Sequence, residues 1–321
     1  MKITLGVDVG GTNIVCGAVD ETGRVLRKAK RPTGAADGPD AVLNRIADMA
    51  REIRGGLGEE AFATSAVGVG IPGLVDPEAG VSRFAGNLKW RDVPVAKLLE
   101  EKIGLPVCID NDVRMYVYGE AVAGAGRGYG HVLGITIGTG IAAAIVNGEK
   151  LYYGSRAMAG EIGHVRMDGV EEACACGLTG CLETAASASG MVRQAKKALL
   201  AGRESVLTEW YPGDDLGRLT AADLSRAMDE GDELAKEIIV RAGVLNGRAL
   251  AAAAMLISPD VIVVGGGGAL AGERLLAPLR EELLRLLLPD IREGLAIVAA
   301  EHNDEAGIIG SALHARRKFG N

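Results

Sequence analysis

Short apolar runs separated by glycine turns alternate with longer stretches of helical periodicity, the pattern of strands buried in a sheet and covered by helices. Residues 3–7 predict a strand, Gly10-Gly11 a tight turn, and residues 14–19 a second strand. Glu21-Thr22-Gly23 then closes a hairpin onto residues 25–29. Residues 40–53 place Val42, Ile46 and Met49 on one face of an amphipathic helix, and residues 66–71 and 106–109 are short buried strands. The opening recurs in miniature: strand 132–137, turn Gly138-Thr139-Gly140, strand 141–146, turn Asn147-Gly148 and strand 150–152. Helical patterns dominate residues 188–255, interrupted by a polar loop at 214–220. A strand at 261–264 runs into Gly265, Gly266, Gly267 and Gly268, followed by a helix over 270–288 and a strand over 296–300. Asn303-Asp304 are expected to cap a terminal helix that reaches Arg317.

Composition narrows the class. A chain of 321 residues suggests two domains, and 48% hydrophobic against 24% charged residues argues against disorder. Lys and Arg number 35 against 42 Asp and Glu, for a net charge of -7, and no basic run is long enough to track a nucleic-acid backbone. The apolar start meets Asp8 too early for a secretory signal, and the uncharged run 131–148 is broken by glycines, threonines and Asn147. The expectation is therefore a soluble cytoplasmic protein with neither nucleic acid nor membrane as partner. Five cysteines, an odd number without an export signal, argue against a disulfide framework. Glycine, at 47 residues, is about twice its usual share and implies close approach of backbone to something.

Asp8, Gly10, Gly11, Thr12 and Asn13 put a carboxylate, two side-chain-free amides and a hydroxyl at one strand end, as a Mg-bound polyphosphate requires. Neither the Walker pattern nor the six-position dinucleotide fingerprint is present, and a plain hairpin would also use such a turn. Gly138, Thr139 and Gly140 supply a second turn of the same kind. His164 with Cys174, Cys176 and Cys181 makes a complete tetrahedral zinc set, with Gly177 and Gly180 allowing the chain to wrap the ion; the alternative is three buried thiols and an unrelated histidine. Asp110-Asn111-Asp112 follows a strand, where open α/β sheets bind ligands and a carboxylate could take a proton from an attacking hydroxyl; turn-forming acids are the alternative. Glu161 and Glu183 flank the cysteine segment and could bind a polyol, although Glu183 also suits a helix start.

Together these segments resemble the ROK family of sugar kinases and repressors, within the actin-like, hexokinase-like ATPase fold. The carriers are residues 8–13, Gly70-Ile71-Pro72-Gly73-Leu74-Val75-Asp76, Asn87-Leu88-Lys89-Trp90, Asn111-Asp112, Gly138-Thr139-Gly140, Gly160-Glu161-Ile162-Gly163-His164, the cysteine segment through Glu183, and Gly265-Gly266-Gly267. The resemblance implies a two-domain α/β protein with a zinc-stabilised loop: residues 1–112, completed by helix 304–321, then 113–303. It implies an ATP-dependent hexose kinase, glucokinase first, with Asp112 as general base. Asn87, Asn111, Glu161, His164 and Glu183 would bind the other hydroxyls. Asp8 would help hold Mg2+, residues 10–13 and 138–140 would meet the phosphates, and Gly265, Gly266 and Gly267 would border adenine and ribose. Fructose, mannose, N-acetylglucosamine and N-acetylmannosamine kinases share most of these positions, and a homo-oligomer, dimer or tetramer, is expected. A non-kinase ATP-binding protein would have no reason to keep the sugar-side set. Repressors of the family carry a helix-turn-helix ahead of the first strand, and none is expected here.

Overall fold

The computed structural model describes residues 2–58 and 64–320; Met1 and Asn321, the outer ends of the expected first domain, lie outside the described residues. Its strands are β1 (Ile3–Val9), β2 (Asn13–Val19), β3 (Val25–Pro32), β4 (Thr64–Ile71), β5 (Leu74–Asp76), β6 (Val81–Ala85), β7 (Trp90–Val93), β8 (Val107–Asn111), β9 (His131–Ile137), β10 (Ile141–Asn147), β11 (Lys150–Leu151), β12 (Val261–Gly265) and β13 (Ala296–Ala299). Two sheets share one plan. The first has the order β3-β2-β1-β4-β8 and the second β11-β10-β9-β12-β13; β5-β6-β7 form a small third sheet. In the first sheet β1, β2 and β3 are an antiparallel meander, while β4 and β8 add parallel to β1. The repeat visible in sequence as one meander thus extends through five strands.

Contacts divide the chain into two compact units. One comprises the chain up to residue 132, residues 144–159 and the chain from residue 300; the other comprises residues 133–143 and 160–299. The expected boundary at residue 112 falls inside the first unit because the helix Asp112–Ala123 packs along the terminal helix Ala306–Phe319. Glycines make that packing close. A Cβ at Gly310 would lie 1.7 Å from the Met115 carbonyl oxygen, and one at Gly119 2.3 Å from that of Ala306. The opposite face of the terminal helix meets β1 and β4, where a Cβ at Gly6 or Gly68 would lie 1.8 Å from the carbonyl oxygens of Ile308 and Ser311. Buried Glu120 ties down the segment ahead of this helix by accepting the backbone N–H groups of Glu301, His302 and Asn303 at 3.0, 2.7 and 3.2 Å.

That segment corrects one sequence expectation. The terminal helix begins at Ala306 with Glu305 as N-cap and no side-chain cap hydrogen bond. Asn303 is occupied elsewhere: its side-chain oxygen Oδ1 accepts from the Tyr116 hydroxyl at 2.8 Å.

On the far side of the first sheet, Val42, Ile46 and Met49 of the helix Pro39–Gly55 pack with Leu5, Val7, Val67 and Val69 in one fully buried cluster. The second unit is dominated by the helix Glu233–Ile257, whose N-cap Asp232 accepts from the Ala235 N–H at 2.8 Å. Among the described residues it is the one helix long and apolar enough to cross a membrane, and 61% of its most apolar window is buried within the protein.

The contact of terminal helix and sheet predicts the effect of a single methyl. Gly68→Ala sets that methyl against a backbone carbonyl that no rotamer change can move, so about 3 kcal/mol or more of stability should be lost. Urea denaturation measures it; a loss under about 1 kcal/mol would refute the close packing.

Candidate active site and metal centre

In the first unit the candidate residues gather at the carboxyl ends of β1, β4 and β8. Asp8 pairs with Gly70 across β1 and β4, and a Cβ on Gly70 would lie 3.3 Å from the Cα of Asp112. The bare strand between them lets both carboxylates share one end of the sheet. Asp8 is half-buried and has no hydrogen-bond or ion-pair partner among the described residues. Burial, reinforced by the charge of Asp112, pushes its pKa up to about 7. The turn that follows is closed by the Gly10 N–H donating to the Asn13 carbonyl at 2.8 Å, and Thr12 is exposed. Asn87, in the turn Gly86–Leu88, stands over that turn: a Cβ at Gly11 would lie 3.4 Å from its Cβ.

Asn111 and Asp112 form the junction of β8 and its helix. The Asn111 side-chain oxygen caps the helix by accepting the Arg114 N–H at 3.1 Å, and its amide donates to the Gly73 carbonyl at 3.1 Å and to Asp112 Oδ1 at 3.0 Å. Burial raises the Asp112 pKa, offset in part by the Val113 N–H at 2.9 Å and by Asn111. Asp110 has the opposite fate. Fully buried, it pairs with Arg114 Nε at 2.6 Å and accepts the Tyr153 hydroxyl at 2.7 Å. Of the three adjacent polar residues, Asp112 alone keeps a carboxylate without an ion pair among the described residues. Arg114 and Tyr153 escaped sequence reasoning, although an arginine four residues beyond Asp110 was the available signal.

In the second unit Gly138-Thr139-Gly140 repeats the first turn, with the Gly138 N–H donating to the Gly140 carbonyl at 2.9 Å. Gly265, Gly266 and Gly267 end the neighbouring strand. Gly266 has a φ of 85°, and its Cβ would lie 2.8 Å from the Ile137 carbonyl oxygen, so the two glycine loops abut. Glu183 opens the helix Leu182–Ala186 beside Gly140, and its carboxylate accepts from the Ile141 N–H at 3.4 Å. His164 lies between two carboxylates, with Nε2 3.8 Å from Glu161 and Nδ1 3.7 Å from Glu183.

His164, Cys174, Cys176 and Cys181 converge, with one donor atom from each lying within 4.8 Å of all the others. Positive φ at Gly177 and Gly180 folds the segment back: the Gly177 N–H closes a turn on the Cys174 carbonyl, and the Gly180 N–H donates to Glu172. Cys176 and Cys181 sulfurs are 3.7 Å apart, and Cys174 lies 3.7 Å from His164 Nδ1. An ion with Zn–S bonds of about 2.3 Å in a tetrahedron sets its sulfurs about 3.8 Å apart, so the donor set fits structural zinc.

Two glycine-turn sheets of identical order, one bearing the Asp8 and Asp112 pair, define an actin-like ATPase fold. The chain belongs to the ROK family, whose profile matches residues 4–318. It is 37% identical to the glucokinase of Halalkalibacterium halodurans over 95% of this chain and 92% of that one. Identity to the glucokinase of Thermotoga maritima is 34%, over 98% of each. Among solved structures, a ROK family glucokinase from Streptomyces griseus in complex with glucose and AMPPNP superposes with a TM-score of 0.84 at 34% identity, covering 98% of this chain and 99% of that one.

The orphan carboxylate of Asp8 has a consequence in pH. With its folded pKa raised to about 7, the folded state holds a proton that the unfolded chain has released, so stability falls as pH rises from about 4 to 7. In metal-free buffer Asp8→Asn should flatten that fall and exceed the parent in urea midpoint above pH 7. Parallel midpoint profiles for the two proteins would contradict the assignment.

Proposed function

We propose that this chain is an ATP-dependent glucokinase that transfers the γ-phosphoryl group of ATP to the 6-hydroxyl of glucose. The likeness to glucokinases over nearly the full length of both chains carries this reading. The site chemistry supports it. Asp112, half-buried and without a cationic partner, acts as general base: its raised pKa favours taking the proton as the hydroxyl attacks phosphorus. Asn87, Asn111, Glu161, His164 and Glu183 bind the remaining hydroxyls. Asn111 does so with the free lone pair of an oxygen already fixed by helix capping, which sets its direction.

Residues 10–13 and Gly138, Thr139 and Gly140 receive phosphate oxygens on backbone N–H groups and hydroxyls, and Gly265, Gly266 and Gly267 border the nucleoside. Asp8 holds Mg2+ or its waters; an unpartnered, half-buried carboxylate beside a second one is a fit for a divalent cation. The cation supplies charge neutralisation for the phosphates. Zinc on His164, Cys174, Cys176 and Cys181 is structural, with all four positions taken by protein, and it fixes the chain on either side of Glu161 and Glu183.

Two outcomes check these roles. Asp112→Asn keeps shape and hydrogen bonding but cannot accept the proton, so kcat in an ADP-release assay with glucose should fall about 100- to 10,000-fold, with nucleotide affinity kept. Turnover within threefold of the parent would remove Asp112 from the chemistry. For the metal, elemental analysis should find one zinc per chain in the parent and none in Cys176→Ser. That variant should lose most of its glucose affinity while binding nucleotide, since misplacement by about 1 Å can cost about 100-fold in rate. A zinc-free variant with parental glucose affinity would refute the bracing role.

A further inference from the structure

The first unit contains a cavity of about 1040 Å3 that none of the residues given a role above lines. It lies between β5 with the turn that follows it, the segment 153–158 beyond β11, and the last turns of the terminal helix. Its size matches pockets that hold small organic ligands, and its walls are mixed. Leu74, Val75, Pro77 and Met158 supply apolar surface, and Tyr153 an aromatic ring.

The charge of the lining runs against that of the chain. Four Lys and Arg side chains face two carboxylates, in a protein of net charge -7. Arg83 is already engaged by Asp76 at 2.9 Å and Asp92 at 3.4 Å. Among the described residues Lys318 donates only to the Pro77 carbonyl, at 3.2 Å, and Arg156 has no hydrogen-bond or ion-pair partner. Two cations thus border the cavity without an ion pair among the described residues.

Arg156 is also displayed by strained backbone. Both Arg156 and Ala157 have φ of 55°, a left-handed conformation that residues other than glycine adopt only under strain. The buried Asp110 and Arg114 pair holds them there. Arg114 donates to the Ala157 carbonyl at 3.0 Å, and the Tyr153 hydroxyl is anchored on Asp110. Strain sustained by buried anchors is a mark of ligand sites. His314, in the lining, has a buried Nδ1 with no hydrogen-bond partner among the described residues. A guanidinium fork and an ammonium are the pair that a phosphate dianion takes up, and the apolar wall suits an organic body attached to it.

We propose that this cavity binds a small organic phosphate ester, its phosphate on Arg156 and Lys318 and its body against Tyr153, Met158 and Leu74. The site is independent of the glucokinase reading, which uses none of these residues. Calorimetry on the full chain, with glycerol 3-phosphate, glucose 6-phosphate and inorganic phosphate as probes and saturating glucose present, tests it. An ester should bind the parent and Asp112→Asn alike, and bind Arg156→Ala and Lys318→Ala about ten- to a hundredfold more weakly, while the two alanine variants keep parental glucose turnover. No ester binding at millimolar concentration, or equal affinity in parent and both alanine variants, would overturn the proposal. Loss of binding in Asp112→Asn would overturn it too, by placing the ester at the other site. Inorganic phosphate binding as tightly as the esters would remove the organic body from it.

Discussion

The terminal helix lies directly on backbone. On one side it meets β1 and β4 at Gly6 and Gly68, and on the other it meets the helix Asp112–Ala123 through Gly119 and Gly310. Side chains at these positions would hold the layers apart by the thickness of a methyl, and the first unit depends on their absence. Close contact brings Gly307 against the Asp8 carboxylate, where a Cβ would lie 2.9 Å from it. The same contact carries the helix that begins with Asp112 to the same end of the sheet. The geometry of the candidate site is thus set by four glycines that never touch it.

Two carboxylates on one short segment show how local partners divide roles. Asp110 is wholly buried, and both its carboxylate oxygens are taken, one by Arg114 and the other by the Tyr153 hydroxyl. Asp112, two residues on, is raised in pKa by burial, which the Val113 N–H, the more distant charge of Arg114 and the Asn111 amide offset only in part. One is spent on architecture. The other keeps its proton affinity available.

Much of this was legible in the sequence where the signal is local. Glycine turns at residues 10–11 and 138–140 stand where expected, Asp110-Asn111-Asp112 ends a strand as read, and His164 converges with Cys174, Cys176 and Cys181 as their clustering implied. What escaped is long-range. The β5-β6-β7 sheet is made of strands of three to five residues held by pairs such as Arg83 with Asp76 and Asp92, and no apolar alternation announces it. Asn303 and Asp304 read as caps because a polar pair precedes a helix. Only the fold shows the Asn303 side chain turned toward Tyr116, and Glu120, far away in sequence, holding the backbone N–H groups of residues 301–303 just ahead of the helix. The first unit's extent was hidden for the same reason, since nothing local says that residues 112–132 pack on residues 306–319.

That discontinuity has a consequence for synthesis. The first unit draws on the start, the middle and the end of the chain, with the second unit intervening. On the ribosome, β1, β4 and β8 emerge with Gly6 and Gly68 bare, and the helix that covers them arrives some two hundred residues after β8. The second unit, nearly all of it contiguous, can close first, while the earlier-made sheet waits with an exposed face. The first unit thus cannot be completed from the amino terminus onward in order of synthesis, because the helix that covers its sheet is made last.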